Sequence, residues 1–111
     1  MVARTAKEAV PEMKTQLTID KIAATYIYDD IAPYIDSWCI HDNMWNDPET
    51  VSFFKGQQEQ GKEVWFYACA MSMRKSLYLY YRLHAWKAFA RNLDGLAMWE
   101  YIDGPGDLYG A

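Results

Sequence analysis

The sequence predicts an α/β domain built on a covered parallel sheet, and two features indicate it. Three short apolar runs recur along the chain, each introduced by an acidic residue and each containing a tryptophan: residues 36–40, 63–67 and 94–99. Amphipathic stretches of helical length separate them, so the repeating unit is strand, crossover helix, strand. Polar residues follow each run, at the end of a parallel sheet where such folds usually bind ligands.

Two helices and two strands are expected in the first half of the chain. Residues 3–10 have the pattern of a helix end that Pro11 stops. Residues 14–19 alternate between polar and apolar side chains, as a short strand does. A helix is expected to begin with Asp20 as its N-cap, and the second strand then covers residues 35–40.

The second half repeats this order with stronger boundary signals. Asp47, followed directly by a proline, is a favourable helix start, and Gly61 is the matching stop. The third strand, residues 63–69, is apolar on both faces, as a strand buried between two layers should be. A helix over about residues 77–91 and a fourth strand over residues 94–99 complete the pattern.

The composition fits one small globular domain and excludes several classes of function. An apolar content of 51% with 23% charged residues argues against disorder. The net charge of −4 leaves no basic surface for nucleic acid. No apolar run approaches the roughly 18 residues needed to cross a bilayer, and the first residues contain no signal-peptide hydrophobic region. The sequence therefore predicts a soluble chain of unknown location, with neither nucleic acid nor membrane as partner.

Four strands with three crossovers do not close a barrel, which needs about eight strands. The sequence begins in a helix end and stops just after a strand. We therefore expect residues 1–111 to be the C-terminal part of a larger (β/α)8 barrel of the TIM type, truncated at its N-terminus. The sheet edges and helix faces that the rest of such a barrel would cover predict self-association.

Four motifs follow one another along the chain: Pro33-Tyr34-Ile35-Asp36-Ser37-Trp38, Gly61-Lys62-Glu63-Val64-Trp65-Phe66-Tyr67, Arg82 with Trp86, and Asp94-Gly95-Leu96-Ala97-Met98-Trp99. Their order and spacing resemble the C-terminal part of the catalytic domain of glycoside hydrolase family 123. The resemblance covers residues 11–101, nearly the whole chain, and it depends on the succession of motifs, because each one alone has low specificity. It implies a (β/α)8 barrel of β-N-acetylgalactosaminidases acting on amino-sugar glycans, with a retaining, substrate-assisted mechanism.

The catalytic residues of that family are an adjacent Asp-Glu pair after an earlier strand, and this sequence has no matching pair. Asp29-Asp30 is the nearest imitation, but it lies within a predicted helix and does not follow a strand. The expected function is thus a fragment of a glycosidase that supplies the wall of the substrate pocket, is inactive alone and uses no cofactor. Two alternatives stay open: a non-enzymatic carbohydrate-binding or interaction module, and an unrelated α/β domain whose aromatic residues are all core.

Candidate sugar-binding residues lie at or near the ends of the predicted strands. An indole face matches the apolar face of a pyranose, and tyrosine adds a hydroxyl group to the ring contact. Trp38, in mid-strand, favours the core over a sugar contact, and Trp65 is expected to be core. The substrate-binding candidates are Trp38, His41, Asp42, Tyr67, Trp99 and Tyr101, with Glu100 as a weak candidate for the catalytic acid.

Structural roles are expected for other residues. Arg82 shares a helical face with Trp86, so we expect a mostly buried guanidinium paired with a carboxylate. Leu79, Leu83, Trp86 and Ala90 should form the buried stripe of that helix. Cys39 and Cys69 fall in strands and are expected to be buried thiols. No metal site is expected, because no paired-cysteine spacing occurs.

Overall fold

The computed structural model describes residues 2–20, 28–68 and 82–98, and within these ranges the chain is α/β. Four strands form one sheet in the order β1-β2-β3-β4, and every neighbouring pair is parallel. The elements in chain order are α1 (Val2–Ala9), β1 (Gln16–Ile19), a 3₁₀ helix (Ala32–Tyr34), β2 (Ser37–His41), a second 3₁₀ helix (Asp42–Asn46), α2 (Pro48–Glu59), β3 (Glu63–Ala68), α3 (Leu83–Ala90) and β4 (Gly95–Met98).

All four predicted strands are confirmed to within a few residues at their ends. The predicted helix that begins at Asp20 falls mainly on residues 21–27, and the first part of the predicted last helix falls on residues 77–81. Both stretches lie outside the described residues, so these two predictions remain predictions.

Helices α2 and α3 pack on one face of the sheet, which we call the helix face. The alternating residues of the strands build its core: Trp38 and Ile40 of β2 and Val64 and Phe66 of β3 are all completely buried. Phe54 of α2 belongs to the same apolar cluster, as does Ala88 of α3. The cluster therefore joins both helices to the two central strands. Leu17, Ile19 and Leu96 extend it at the sheet edges.

The opposite side of the sheet, which we call the open face, has no described helix packed on it. Its residues alternate with those of the helix face: Gln16, Thr18, Ser37, Cys39, His41, Glu63, Trp65, Tyr67, Gly95 and Ala97. The sequence predicts a layer on each side of β3. In the described residues only the layer on the helix face is present.

Acidic residues before the strands act as backbone acceptors at the amino end of the sheet. An oxygen of Asp36, before β2, accepts hydrogen bonds from the Thr15 amide at 2.7 Å and from the Lys7 ammonium at 2.6 Å. An oxygen of Asp94, before β4, accepts from the Val64 amide at 2.7 Å. Each carboxylate thus satisfies an amide at the start of the preceding strand. This explains why an acid introduces two of the repeated runs without assigning either acid to catalysis.

The predicted boundaries of α2 are confirmed. The Asp47 carboxylate accepts a hydrogen bond from the Thr50 amide at 2.8 Å, which is an N-cap. Pro48 occupies the first helical turn. Gly61 has a φ of +84°, a left-handed conformation that favours glycine after a helix. Asn92, the expected terminator of α3, also has a positive φ, of 54°.

The predicted buried stripe of the last helix is wrong at Trp86 and Ala90, and so is the predicted burial of Arg82; Leu79 of that stripe lies outside the described residues. Arg82 is exposed, and the Trp86 side chain is 65% exposed. The buried residues of α3 are His84 and Ala88, and the His84 ring lies 5.6 Å from the Phe66 ring. This rotation of the helix brings Lys87 and Arg91 toward the sheet. Arg82 and Trp86 then lie on the solvent side of the helix, away from the core.

Candidate functional site

His41 and Tyr67 form a ring pair at the carboxyl ends of the two central strands. The two residues lie opposite each other in the β2–β3 register, and their rings meet edge to face with centroids 5.1 Å apart. The His41 Nδ1 accepts a hydrogen bond from the Asn43 amide at 3.2 Å. A neutral imidazole that accepts at Nδ1 carries its proton on Nε2, which is then a donor. The sequence prediction places both residues at a binding site, and the structure brings them together on the open face.

Asp42, the next candidate, is tied to α3. Its carboxylate accepts hydrogen bonds from Arg91 Nη1 at 2.5 Å and from Lys87 Nζ at 3.1 Å. Burial acts to raise the pKa of this carboxyl, but the hydrogen bonds and positive charges of Arg91 and Lys87 outweigh it and lower the pKa. The Arg91 guanidinium also lies 5.8 Å from the centre of the Trp45 ring. The geometry thus makes Asp42 the link between the end of β2 and helix α3.

Trp38 is a core residue, as its mid-strand position favours, and its place among the substrate-binding candidates is wrong. The side chain is completely buried on the helix face, and its Nε1 donates a hydrogen bond to Gln57 Oε1 at 3.2 Å. Its ring packs edge to face against Phe53 and Phe54 of α2. Every second residue of β2 faces the helices, and Trp38 occupies one of those positions.

The remaining site predictions fall on residues for which the structure gives no description. Trp99, Tyr101 and Glu100, the weak candidate for the acid, lie outside the described residues, as does Cys69. Cys39 is described: it is a free, buried thiol on the open face, and burial raises its pKa.

A groove of about 870 Å3 lies on the open face, and sequence reasoning missed it. It runs from Thr15 and Asp36 at the amino end of the sheet to Tyr67 near the carboxyl end, and Trp65 lines it. Trp65 was expected to be core, yet its side chain is only partly buried and it belongs to the open face. The signal that identifies its side of the strand is alternation, because Trp65 shares its parity with the charged Glu63.

Searches for a metal site, for a membrane-spanning helix and for similar proteins identify no further functional feature in the described residues. Within residues 2–20, 28–68 and 82–98, no group of three or more His, Cys, Asp or Glu side chains is placed to hold a metal ion. In the same part of the chain, no helix has the length and apolar character required to cross a membrane. Comparison with protein-family models, with curated proteins and with solved structures finds no match for this chain.

Proposed function

We propose that this chain supplies one wall of the substrate pocket in a (β/α) barrel of the glycoside hydrolase type, acting on glycans of N-acetylated amino sugars. The observation that supports it most is the sheet itself. Four parallel strands follow one another in sequence order, with the described crossover helices on one face only. A doubly wound sheet reverses its strand order at a switch point and has helices on both faces, whereas a barrel does neither.

The carboxyl ends of the strands support the choice of ligand. Barrel enzymes bind substrate at this end of the sheet, and His41 and Tyr67 lie there on the face that would form the barrel interior. An aromatic ring and polar hydrogen-bonding groups suit a sugar, which has an apolar face and a rim of hydroxyl groups. The resemblance to glycoside hydrolase family 123 gives the sugar class.

None of the described residues has the role of the catalytic acid in this proposed function. Glycoside hydrolysis needs a carboxylic acid with a raised pKa, and the Asp42 pKa is lowered by its two cations. We therefore expect the 111-residue chain to release no product from a chromogenic β-N-acetylgalactosaminide. Turnover by a monodisperse preparation, abolished in a Glu100→Gln variant, would contradict this expectation.

A second candidate function is a carbohydrate-binding module without catalysis. The ion pairs of Asp42 favour this candidate. The carboxyl ends of the strands keep the His41–Tyr67 ring pair, whereas the Asp42 carboxylate links β2 to α3. A binding experiment tests the feature that both candidates share. Titration with methyl β-N-acetylgalactosaminide should shift the NMR signals of the His41 imidazole and the Tyr67 ring.

Two variants and a control make that titration decisive. His41→Ala should weaken binding, since it removes the partly exposed ring of the pair, and Tyr67→Phe should weaken it less, since Tyr67 is only 3% exposed. Trp86→Ala removes an exposed ring from the helix side of the molecule and should leave binding unchanged. Signals that stay unperturbed at millimolar sugar would overturn both candidate functions.

A further inference from the structure

Helix α3 is attached to the sheet by a small buried surface. Among its eight residues, His84 and Ala88 are the buried ones. The Trp86 and Phe89 side chains are 65% and 80% exposed, so these large apolar groups add little to the attachment. Segments with few buried apolar contacts open locally at a lower free energy than the core of a domain. The protonation state of His84 therefore bears directly on whether α3 stays in place.

His84 is a titratable residue held in an apolar contact. It is 6% exposed, and its ring meets the Phe66 ring edge to face with centroids 5.6 Å apart. Phe66 is completely buried and belongs to the apolar cluster of the helix face. A neutral imidazole is compatible with such surroundings, whereas an imidazolium would lose most of its hydration there.

The charged residues that follow His84 on the same side of the helix are positive. Lys87 and Arg91 lie three and seven residues further along the chain. Both bind the Asp42 carboxylate, which is therefore already shared by two cations. Burial lowers the pKa of His84 and the positive charge of Lys87 adds to this effect, while the Asp42 charge opposes it. Arg91 lowers the His84 pKa further.

The other elements packed around α3 add a cation and no free carboxylate within the described residues. Lys55 of α2 donates a hydrogen bond from Nζ to the Arg91 carbonyl at 3.0 Å. Asp94, before β4, binds the Val64 amide at the amino end of the sheet. Strand β4 itself and the helix-face residues of β3 have no titratable side chain. The charged cluster beside His84 thus contains three cations and one carboxylate: Lys55, Lys87, Arg91 and Asp42.

We infer that His84 makes the attachment of α3 to the sheet sensitive to pH, because proton uptake on its ring favours a state in which the helix has opened away from the helix face. In the opened state, water hydrates the imidazolium and the ring is separated from the cations. Opening would also break the ion pairs of Asp42 and uncover Phe66. The device is independent of the proposed function, since it lies on the helix face and not at the ring pair of the open face.

The pH range of the effect follows from the direction of the shift. The His84 pKa is lowered from its ordinary 6.5, so the opened state binds more protons than the closed state between the folded-state pKa and 6.5. Above 6.5 the residue has no effect. Below 6.5 the opening equilibrium constant should rise by up to about tenfold per pH unit, the limit for one proton, until the folded-state pKa is reached. The Asp42 pKa is lowered from 3.8, so Asp42 acts in a separate, more acidic range.

Hydrogen exchange of the full chain, followed by NMR from about pH 7.5 to about pH 5, measures this opening. Exchange rates are divided by those of unstructured amides at the same pH, which gives a protection factor. Protection of the α3 amides should fall by up to about tenfold per pH unit below 6.5, whereas the α2 amides should keep theirs. His84→Gln has a neutral side chain at every pH and should abolish the fall. His41→Gln changes the other of the two histidines, on the open face, and should leave the fall unchanged.

Four results would overturn the inference. Protection of α3 that does not change with pH would do so, as would an equal fall in His84→Gln. A fall that only His41→Gln abolishes would place the sensitive group on the open face instead. A parallel fall in α2 and α3 would show unfolding of the whole sheet rather than opening of one helix. If His84→Gln does not fold, the ring signals of His84 in the wild type decide: they should titrate below 6.5, and titration at or above that value would contradict the device.

Discussion

At the scale of single residues, Asp42 links the end of β2 to helix α3 through two ion pairs. It follows β2 directly and binds Lys87 of α3 and Arg91 directly after that helix, and 23% of its side chain is exposed. Partly buried ion pairs with two good hydrogen bonds are destabilising to break, because the partners then remain desolvated without a counter-charge. Asp42 therefore fixes the position of α3 more than it offers a group to a ligand.

Replacing Asp42 by Asn should lower the free energy of unfolding at neutral pH by about 2 kcal/mol, between the values for exposed and buried pairs. The Asp42 pKa is lowered in the folded state from its ordinary 3.8. The stabilisation is therefore present above that ordinary value and is lost as the pH falls through the folded-state pKa. Urea unfolding of both proteins between pH 7 and pH 2 measures the difference, which should shrink toward zero in acid.

Glu8→Gln is the control for that comparison. Glu8 pairs with Arg4 at 3.7 Å on α1, and the two side chains are 67% and 55% exposed. Such pairs contribute little, so this variant should unfold at nearly the same urea concentration as the wild type. Equal losses in the Asp42 and Glu8 variants would contradict the role given to Asp42.

Substitution by Phe should destabilise the protein at Trp38 and have little effect at Trp86. Trp38→Phe leaves a cavity in the core and removes the hydrogen-bond donor of buried Gln57, so we expect a loss of roughly 2–3 kcal/mol. Trp86→Phe alters a side chain that is 65% exposed and should change stability by less than about 0.5 kcal/mol. Thermal and urea unfolding of the pair would measure this contrast, and a larger loss for Trp86 would show that the helix face is misassigned.

At the scale of elements, the strands and α2 were predictable because their signals are local. Alternation and apolar runs identify strands, and Asp47 with Gly61 marks the two ends of α2 through backbone geometry that those residues favour. The buried side of α3 was not predictable, because it depends on what the helix meets. His84 and Ala88 face the sheet so that Lys87 and Arg91 can reach Asp42, a partner far away in sequence.

The candidate site, like the helices, was predictable only in part from the sequence. The positions of His41 and Tyr67 at strand ends followed from the repeating pattern. The groove did not, because it depends on which face of β3 the helices leave uncovered. A tryptophan in mid-strand suits either face, and the alternation that it shares with the exposed Glu63 is the sequence signal for the open one.

Gly56 within α2 and Gly61 just after it provide a matched test of backbone conformation. A Cβ at either Gly56 or Gly61 would meet no atom within 4 Å, so packing does not distinguish them. Gly56 lies within the helix, and Gly56→Ala should stabilise the protein by up to about 1 kcal/mol. Gly61 has a left-handed φ, and Gly61→Ala should destabilise it by about 1 kcal/mol. Chemical denaturation measures both, and changes of the same sign would contradict the helix boundary.

At the scale of the whole molecule, the sheet has one covered face and one open face. β1 and β4 each pair on one side only among the described strands. Unpaired strand edges offer backbone hydrogen-bond donors and acceptors to another chain. A partly apolar face beside them adds exposed apolar surface, whose burial against another chain is favourable. We therefore expect the purified chain to self-associate through the β1 edge and the open face.

Sedimentation velocity across a range of concentrations should show a mass that rises with concentration. Thr18→Lys places a charge on the open face at the edge strand and should shift this association to about tenfold higher concentration, equivalent to roughly 1.4 kcal/mol. Glu59→Gln raises the net charge by the same amount at the exposed end of α2 and should leave the association unchanged. Equal shifts in the two variants would indicate a general effect of net charge, and a monomer at every concentration would show that the open face needs no partner.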